Sequence, residues 1–378
     1  MQQSRTQILR RRLALSVAID VKFCSHSTQS TMKPNIRDLE RPVKKVMESL
    51  MKAHNMLSMP GPSPRNVGAV GGNRSYVMLS SLAKLEKALL KWTMNQLVSR
   101  FNFTPVVVPN IVYDHIIERC GFPTRSERSQ VYKVSGNNQE SILDEKSTKS
   151  NCENRTLPCV AGTSEFALTA IHIGDIIPSE ELPKRYCALS RCYRAEISSV
   201  AEESGIYRVR YFNKVEMVGL TMPERSSELH EEFLAIQRDL FSQLGLQYRV
   251  LDMPEHELGL SAKKKYDVEA WMEGRQRYGE ISSTSNCEDY QSSRLNIRYS
   301  HMAERNNQLQ VDTGFVHTLN GTACSSTRTL IALIEQNQTD SDKVAIPEPL
   351  IPYMNGAKMI PCAEERELLK EVDLYPEL

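Results

Sequence analysis

Residues 191–217 constrain the fold more than any other stretch, because polar and apolar side chains alternate in two segments joined by a polar loop. In an extended strand, successive side chains point to opposite faces, so the second segment divides into two sets. The mostly charged set comprises Arg208, Arg210, Phe212, Lys214 and Glu216. The apolar set comprises Tyr207, Val209, Tyr211, Val215 and Met217. The pattern predicts an antiparallel hairpin with one face on a core.

The charged face suits a ligand that carries phosphate and a planar ring. Arg194 and Glu196 share a face in the first segment, so a hairpin would add them to the same wall. Guanidinium groups bind phosphate oxygens in pairs, carboxylates bind ammonium groups or metals, and aromatic rings stack on bases. The solvated face of an ordinary antiparallel sheet has the same composition, so this stretch alone leaves both interpretations open.

The overall charge excludes a general polyanion binder. The 378 residues include 47 basic and 46 acidic side chains, for a net charge of +1. Nucleic-acid binding would therefore need a local patch, for which residues 263–265 beside Arg208, Arg210 and Lys214 are candidates. A lysine run is more often a solvated surface. The nine cysteines are odd in number and form no CxxC pair, which favours reduced thiols and predicts no metal site.

The first residues have the composition of a targeting segment. Arginines and leucines are interleaved, serines and threonines follow, and the first acid is Asp20. This composition predicts a mitochondrial transit peptide over residues 1–31 and a protein of the mitochondrial matrix. Apolar runs are too short to span a bilayer, so we expect no membrane span.

The rest of the chain divides into a short linker region and one large domain. Residues 32–72 predict a short helical remnant and a linker rich in Gly and Pro, and residues 73–378 predict the core, with a polar insertion at 134–157. Predicted helices cover residues 80–101, 168–177, 224–245 and 329–336, and a strand covers 104–109. Strands and helices do not alternate strictly, which favours an α+β fold over a doubly wound sheet.

Several spaced motifs occur in an order that resembles one enzyme family. They are TSE at 163–165, YRAE at 193–196, FNKVEM at 212–217, EISS at 280–283, HTLNG at 317–321 and IPEPLIPYMNG at 346–356. The chain resembles the catalytic core of class II aminoacyl-tRNA synthetases, most closely seryl-tRNA synthetases, from about residue 72 to residue 359. The resemblance implies an antiparallel sheet flanked by helices. A set of motifs in the right order is far more specific than any one of them.

The resemblance also implies roles for individual residues. The nucleotide and its magnesium would be held by Arg194, Glu196, Phe212, Glu280, Ser283 and Arg328. The amino acid serine would be held by Thr163, Glu165, Glu216 and Thr322. In the family, the carboxylate of the amino acid attacks the α-phosphate in line, so the protein supplies position and charge.

Departures from the family pattern cluster around the nucleotide. The family reads Asn-Gly-Ser-Gly-Leu-Ala-Val-Gly-Arg where residues 320–328 read NGTACSSTR, so Ala323 and Thr327 replace glycines. Glycine in such a strand usually marks a close approach by a ligand, so we expect the two side chains to narrow the cleft over adenine. Arg210 and Tyr211 replace His and Gln before Phe212, and we count Arg210 among the residues that block the site. We therefore expect adenylation to be lost.

A second expectation concerns the N-terminal arm that seryl enzymes use to grip tRNA. About forty residues separate the predicted presequence from residue 72, too few for two long helices, so we expect the coiled-coil arm to be absent. In its expected loss of adenylation and of the arm, the chain resembles the non-catalytic, seryl-tRNA synthetase-like mitochondrial proteins of insects.

The resemblance therefore implies an inactive paralogue without a cofactor. Its partner would be the mitochondrial seryl-tRNA synthetase in a heterodimer, or a second copy in a homodimer, and it would regulate mitochondrial translation. Alternatives are an active mitochondrial seryl-tRNA synthetase that uses ATP and magnesium, an activator that loads another carrier, and an RNA-binding module.

Overall fold

The computed structural model describes residues 71–360, except residues 73, 79, 127–128, 135–155, 197–204, 306–307 and 340–342. The predicted transit peptide at 1–31, residues 32–70 with most of the predicted linker, and most of the predicted insertion at 134–157 lie outside the described residues. Those assignments stay predictions, as does the expectation about the tRNA-gripping arm.

The described residues form helices and strands in the following order. The α-helices are α1 (Ser80–Phe101), α2 (Asp114–Arg119), α3 (Glu165–Ala170), α4 (Ser226–Gln243), α5 (Tyr290–Leu295) and α6 (Ser326–Gln336). The strands are β1 (Thr104–Pro105), β2 (Ile111–Tyr113), β3 (Tyr132–Lys133), β4 (Pro158–Val160), β5 (Ile176–Pro178), β6 (Lys184–Tyr193), β7 (Tyr211–Thr221), β8 (Tyr248–Asp252), β9 (Lys264–Met272), β10 (Arg277–Glu288), β11 (Arg298–Arg305), β12 (Gln308–Phe315), β13 (His317–Ser325), β14 (Val344–Ala345) and β15 (Met359–Ile360).

A central sheet of seven strands carries the candidate site. Its strand order is β1, β6, β7, β13, β10, β9 and β8. Strand β1 runs parallel to β6, and the other neighbouring strands are antiparallel. Two three-stranded sheets, β2-β4-β3 and β12-β11-β5, accompany it. A largely antiparallel sheet with helices outside any regular βα repeat confirms the predicted α+β class.

The main hydrophobic core lies between this sheet and helices α1, α4 and α6. Helix α1 buries the predicted apolar side, which comprises Leu82, Leu85, Leu89, Trp92 and Leu97. Strand β7 contributes Val215 and Met217 to the same core. Helices α1, α4 and α6 therefore cover one face of the sheet, and the opposite face carries the candidate site beside a second, smaller core.

The predicted hairpin is formed by β6 and β7, which place Cys192 opposite Phe212. The predicted strand pattern was too long at one end. Strand β7 begins at Tyr211, so Arg210 precedes it, and Glu196 lies beyond the end of β6 with a left-handed φ of 47°. That conformation turns the chain out of the ladder.

Two other predicted elements were wrong in extent. The helix predicted for residues 168–177 ends at Ala170, and strand β5 follows at Ile176 after Gly174, whose φ is +81°. The strand predicted for 104–109 is limited to Thr104–Pro105, although the N–H of Val106 still donates to the Cys187 carbonyl oxygen at 2.8 Å. Among the described residues, no helix has the length and apolar character to cross a membrane.

Candidate functional site

One half of the site is a buried polar pocket on the face of the central sheet that helices α1, α4 and α6 do not cover. Glu216 lies on β7 opposite Thr322 of β13, so both side chains are on the same face. The hydroxyl group of Thr163 donates to Glu216 at 3.2 Å and accepts a hydrogen bond from Nζ of Lys214 at 2.8 Å. The ammonium group of Lys214 also contacts the Glu216 carboxylate directly. The predicted serine residues Thr163, Glu216 and Thr322 therefore come together.

Glu165 forms the floor of this pocket at the start of helix α3. Its Oε1 accepts hydrogen bonds from Nε2 of Gln291 at 2.7 Å and from Nδ2 of Asn320 at 3.0 Å. Burial raises the pKa of Glu165 to about 7, and the charge of Glu216 adds to the increase. A carboxyl group that is partly protonated near neutral pH can either accept from or donate to a ligand hydroxyl group.

Three members of the pocket were not among the predicted site residues. Gln291 and Asn320 hold Glu165, and Thr318 donates to Oε1 of Gln291 at 2.8 Å. The motif HTLNG contains Thr318 and Asn320, so alternation along that strand was the available signal. Gln291 comes from the short helix α5, and only the fold brings it near Glu165.

The second half of the site contains the predicted nucleotide residues. Nη1 of Arg328 donates to Oε2 of Glu280 at 3.0 Å and to the Glu280 carbonyl oxygen at 3.2 Å. Burial alone would raise the pKa of Glu280, but the positive charges of Arg328, Lys265 and Arg194 hold it below its usual range. The guanidinium of Arg194 lies over the Phe212 ring, 5.1 Å from its centroid. These four predicted residues therefore share one electrostatic environment.

Arg328 is supported from behind by two residues that were not predicted. The Tyr207 ring contacts the guanidinium groups of both Arg328 and Arg275. Their Cζ atoms are 4.6 and 3.7 Å from the ring centroid. A Cβ added to Gly279 would lie 2.9 Å from the Tyr207 ring. Gly279 precedes Glu280 in β10, so its Cβ would point away from the cleft. Tyr207 thus supports Arg328 from the core side of the sheet.

Glu196 completes the nucleotide half, and it is already engaged. Its Oε2 is 3.3 Å from Nη1 of Arg208 and 3.7 Å from Nη1 of Arg74, and its side chain is only 4% exposed. Ser283 lies in β10 opposite Asp267. The predicted site residues therefore come from the segment that follows β6, from β7, β10 and β13, and from the starts of α3 and α6.

The three residues expected to block the cleft lie in three different parts of the structure. Strand β13 has a bulge between Thr322 and Cys324, and the intervening Ala323 belongs to the main hydrophobic core. This packing gives no support to the expectation that Ala323 narrows the cleft. Thr327 is 1% exposed at the start of α6, immediately before Arg328. The half-buried Arg210 lies beside Gly72, where an added Cβ would be 2.7 Å from its Nη1.

The predicted basic patch is largely neutralised. Lys265 pairs with Asp267 at 2.7 Å, and Lys264 pairs with Glu231 at 3.4 Å. Lys214 is buried against Glu216. These pairings remove most of the uncompensated positive charge on which nucleic-acid binding would depend. No group of three or more His, Cys, Asp or Glu side chains within the described ranges could hold a metal ion.

Comparison with known proteins gives matches over most of the chain. Residues 148–337 match the tRNA synthetase class II core domain (G, H, P, S and T). The chain is 40% identical over 295 residues to the mitochondrial serine--tRNA ligase of Mus musculus, which covers 77% of this chain and 52% of that protein. It is 38% identical over 287 residues to the serine--tRNA ligase of Treponema denticola, covering 75% of this chain and 62% of that protein. The chain thus spans about half the length of the mouse relative.

Two solved structures share the fold. Seryl-tRNA synthetase from Pyrococcus horikoshii, complexed with ATP, superimposes with a TM-score of 0.69 and 31% identity, over 86% of this chain and 68% of that chain. The cytoplasmic serine-tRNA ligase of Naegleria fowleri, in complex with AMP, gives a TM-score of 0.69 and 28% identity, over 84% and 68% of the two chains.

Proposed function

The chain belongs to the class II aminoacyl-tRNA synthetases, and serine--tRNA ligases are among its relatives. We propose that it is a catalytically inactive paralogue of seryl-tRNA synthetase. It acts in the mitochondrial matrix as a dimerisation partner or regulator of mitochondrial seryl-tRNA synthetase, and so of mitochondrial translation. The mitochondrial relatives and the presequence-like composition of residues 1–31 support this location.

The observation that carries the proposal is that three of the four carboxylates assigned to substrates are paired with a cation of the chain itself. Glu196 pairs with Arg208, Glu216 pairs with Lys214, and Glu280 pairs with Arg328. A substrate ammonium group or a magnesium ion would have to displace these partners. The cost is largest for Lys214–Glu216, the pair with both side chains buried. Leaving one member of a buried ion pair unpaired costs about 3–5 kcal/mol, which would weaken binding at that position by two or more orders of magnitude.

The departures at Thr327 and Arg210 act in the same half of the site. A β-branched residue is fully buried where the family has glycine, directly before the arginine that would meet the nucleotide. Glycine admits the closest approach of a ligand to the backbone, and threonine does not. ATP and magnesium are therefore not expected as cofactors.

A partner role is supported by exposed apolar side chains around strand β1. Val107 is 100% exposed, and Leu189 on the neighbouring strand β6 is 45% exposed. His172, beside the exposed Ile171 and Ile173, shares a hydrogen bond of 2.8 Å with the hydroxyl group of Tyr186, also on β6. Apolar residues that cluster on a surface mark an interaction site. A second class II subunit is the partner proposed here, as the mitochondrial seryl-tRNA synthetase or as another copy.

The test is ATP–pyrophosphate exchange with serine, with the mouse mitochondrial relative assayed in parallel as the positive control. The proposal predicts no exchange above background and no thermal stabilisation by Mg-ATP. Exchange at a rate near that of the control would overturn it. Purification of the native protein from mitochondria should recover mitochondrial seryl-tRNA synthetase, and recovery of the chain only as a monomer would contradict the partner role.

A second candidate is an active mitochondrial seryl-tRNA synthetase. It is favoured by the assembly of Arg194, Phe212, Glu280 and Arg328 in one cleft. In such an enzyme these residues would hold ATP, which would supply the activated phosphate, while Thr163 and Glu165 would orient serine. The same exchange assay decides between the two candidates.

A further inference from the structure

Arg210 and Tyr211, the two residues before Phe212 that depart from the family pattern, contact the same short segment. This segment, residues 74–78, is called the strap below. The backbone N–H of Arg210 donates to the carbonyl oxygen of Arg74 at 3.2 Å. The hydroxyl group of Tyr211 donates to the carbonyl oxygen of Tyr76, and the two rings stack with centroids 4.9 Å apart and planes 20° apart. The strap is therefore fixed to the strand that also carries Phe212.

The strap reaches both a charged and an aromatic residue of the nucleotide half. Nη1 of Arg74 is 3.7 Å from Oε2 of Glu196. Tyr76 packs against a small buried cluster formed by Cys192, Val209 and Phe212. Burial raises the pKa of the Tyr76 hydroxyl well above its usual value, with the charge of Glu86 adding to the increase, so Tyr76 stays neutral. One short segment thus engages the carboxylate and backs the ring that the nucleotide would need.

The substituted residues make this attachment stronger than the family residues would. A glutamine at position 211 has no ring to stack on Tyr76, and stacked aromatic pairs contribute beyond their buried area. A histidine at position 210 is shorter than arginine and would leave the space beside Gly72 that the Arg210 side chain fills. Tyr211 therefore holds the strap through its side chain. Arg210 holds it through a backbone bond, and its side chain fills the space beside Gly72, just before the strap.

We propose that the strap is an autoinhibitory element that closes the nucleotide half of the site, with Arg210 and Tyr211 as its anchors. This inference rests on the proposed function for the assignment of Glu196 and Phe212 to nucleotide binding. While the strap is attached, Arg74 and Arg208 both contact the Glu196 carboxylate. Release of the strap removes Arg74, leaves Arg208 in place, and opens that side of the carboxylate to a purine nucleotide.

The experiment compares the full-length wild-type chain with Tyr211→Gln and Arg210→His by hydrogen–deuterium exchange and by Mg-ATP titration. We expect the amides of residues 75–78 to exchange at least tenfold faster in Tyr211→Gln, with a smaller increase in Arg210→His. Mg-ATP should bind at least tenfold more tightly to Tyr211→Gln than to the wild type. The matched control is Tyr278→Gln, which removes a ring stacked edge-on against Trp271 away from the strap.

Each outcome supports or overturns the inference. Wild-type exchange rates in the strap of both variants would overturn it, as would faster exchange without tighter nucleotide binding. Arg74→Ala gives a second route if Tyr211→Gln unfolds, because it removes one of the two arginines beside Glu196 without altering the core. Unchanged Mg-ATP affinity in that variant also overturns the inference. Pyrophosphate exchange is measured separately. Turnover by the wild type would remove the proposed function, whereas tighter binding without turnover in Tyr211→Gln would leave it intact.

Discussion

Lys214 and Glu216 stand two positions apart on strand β7, and their charged groups meet inside the protein. Their side chains are only 7% and 2% exposed, and the hydroxyl group of Thr163 hydrogen-bonds to both. The period of two places both residues on the cleft face. Burying both charges costs desolvation free energy, and removing only one of them leaves the other buried without a partner. Each residue of the pair therefore depends on the other.

Replacing Lys214 by methionine should lower the free energy of unfolding by about 3–5 kcal/mol, because Glu216 is left charged and buried without its partner. Urea denaturation at pH 7 measures the change. The double variant Lys214→Met with Glu216→Gln should recover most of the loss. As a control, Arg225→Ala breaks a pair whose side chains are 52% and 70% exposed and should change stability by less than about 1 kcal/mol. Equal losses of unfolding free energy in Lys214→Met and Arg225→Ala would contradict the buried pair.

Glu165 should make stability depend on pH. Its folded pKa of about 7 is above the unfolded value of 4.5, so the folded state binds the extra proton. The contribution is fully present below pH 4.5 and is lost as pH rises through 7. Glu165→Gln should flatten the profile between pH 5 and 8 by roughly 3 kcal/mol at most.

Urea midpoints at pH 5, 6, 7 and 8 provide the measurement for Glu165→Gln. Glutamine keeps the carbonyl oxygen that accepts from Gln291 and Asn320, so the fold is retained. The exposed Glu228→Gln serves as the control and should keep the wild-type slope. A wild-type slope in Glu165→Gln would show that other groups carry the dependence.

Gly219 should not tolerate a methyl group. A Cβ there would lie 2.9 Å from Cδ2 of Leu229 and 3.1 Å from Cζ of Phe233, both on helix α4. Gly219→Ala should therefore cost about 1–3 kcal/mol by overpacking the helix against the sheet. Gly259→Ala is the matched control, because nothing lies within 4 Å of its added Cβ. Thermal unfolding that ranks the two variants equally would contradict this packing.

Restoring the two glycines of the 320–328 segment should have different effects. Ala323→Gly removes a methyl group from the main core and should lower stability by about 1 kcal/mol without changing Mg-ATP affinity. Thr327→Gly acts beside Arg328 and should raise that affinity. Isothermal titration of both variants checks the pair. A gain in affinity from Ala323→Gly would place its side chain in the cleft after all.

The fold and the membership of the charged wall were readable from periodicity. Val215 and Met217 went to the core, and Phe212, Lys214 and Glu216 went to the opposite face, because the period of two persists along β7. The pattern failed at Arg210, where the alternation is already present before strand β7 begins at Tyr211. Alternation of polar and apolar side chains predicts which face a residue is on, but it does not show where the backbone hydrogen bonds of the strand begin or end.

The site was predictable where its residues lie within motifs and not where the fold supplies them from elsewhere. Gln291 reaches Glu165 across a separation of 126 positions, and Arg275 reaches Tyr207 from a turn between two strands. Neither contact leaves a local signal in the sequence. The placement of Ala323 was equally hidden, since a bulge adds one residue to a strand without a signature of its own.

The bulge in β13 shifts the register with β7 by one residue between the two halves of the strand. Thr322 sits opposite Glu216, yet Cys324 sits opposite Val215 and Ser325 opposite Lys214. Ala323 and Cys324 both belong to the interior, while Thr322 lies on the ligand side. A substitution at position 323 therefore acts through core packing, whereas a substitution one residue earlier acts on the site.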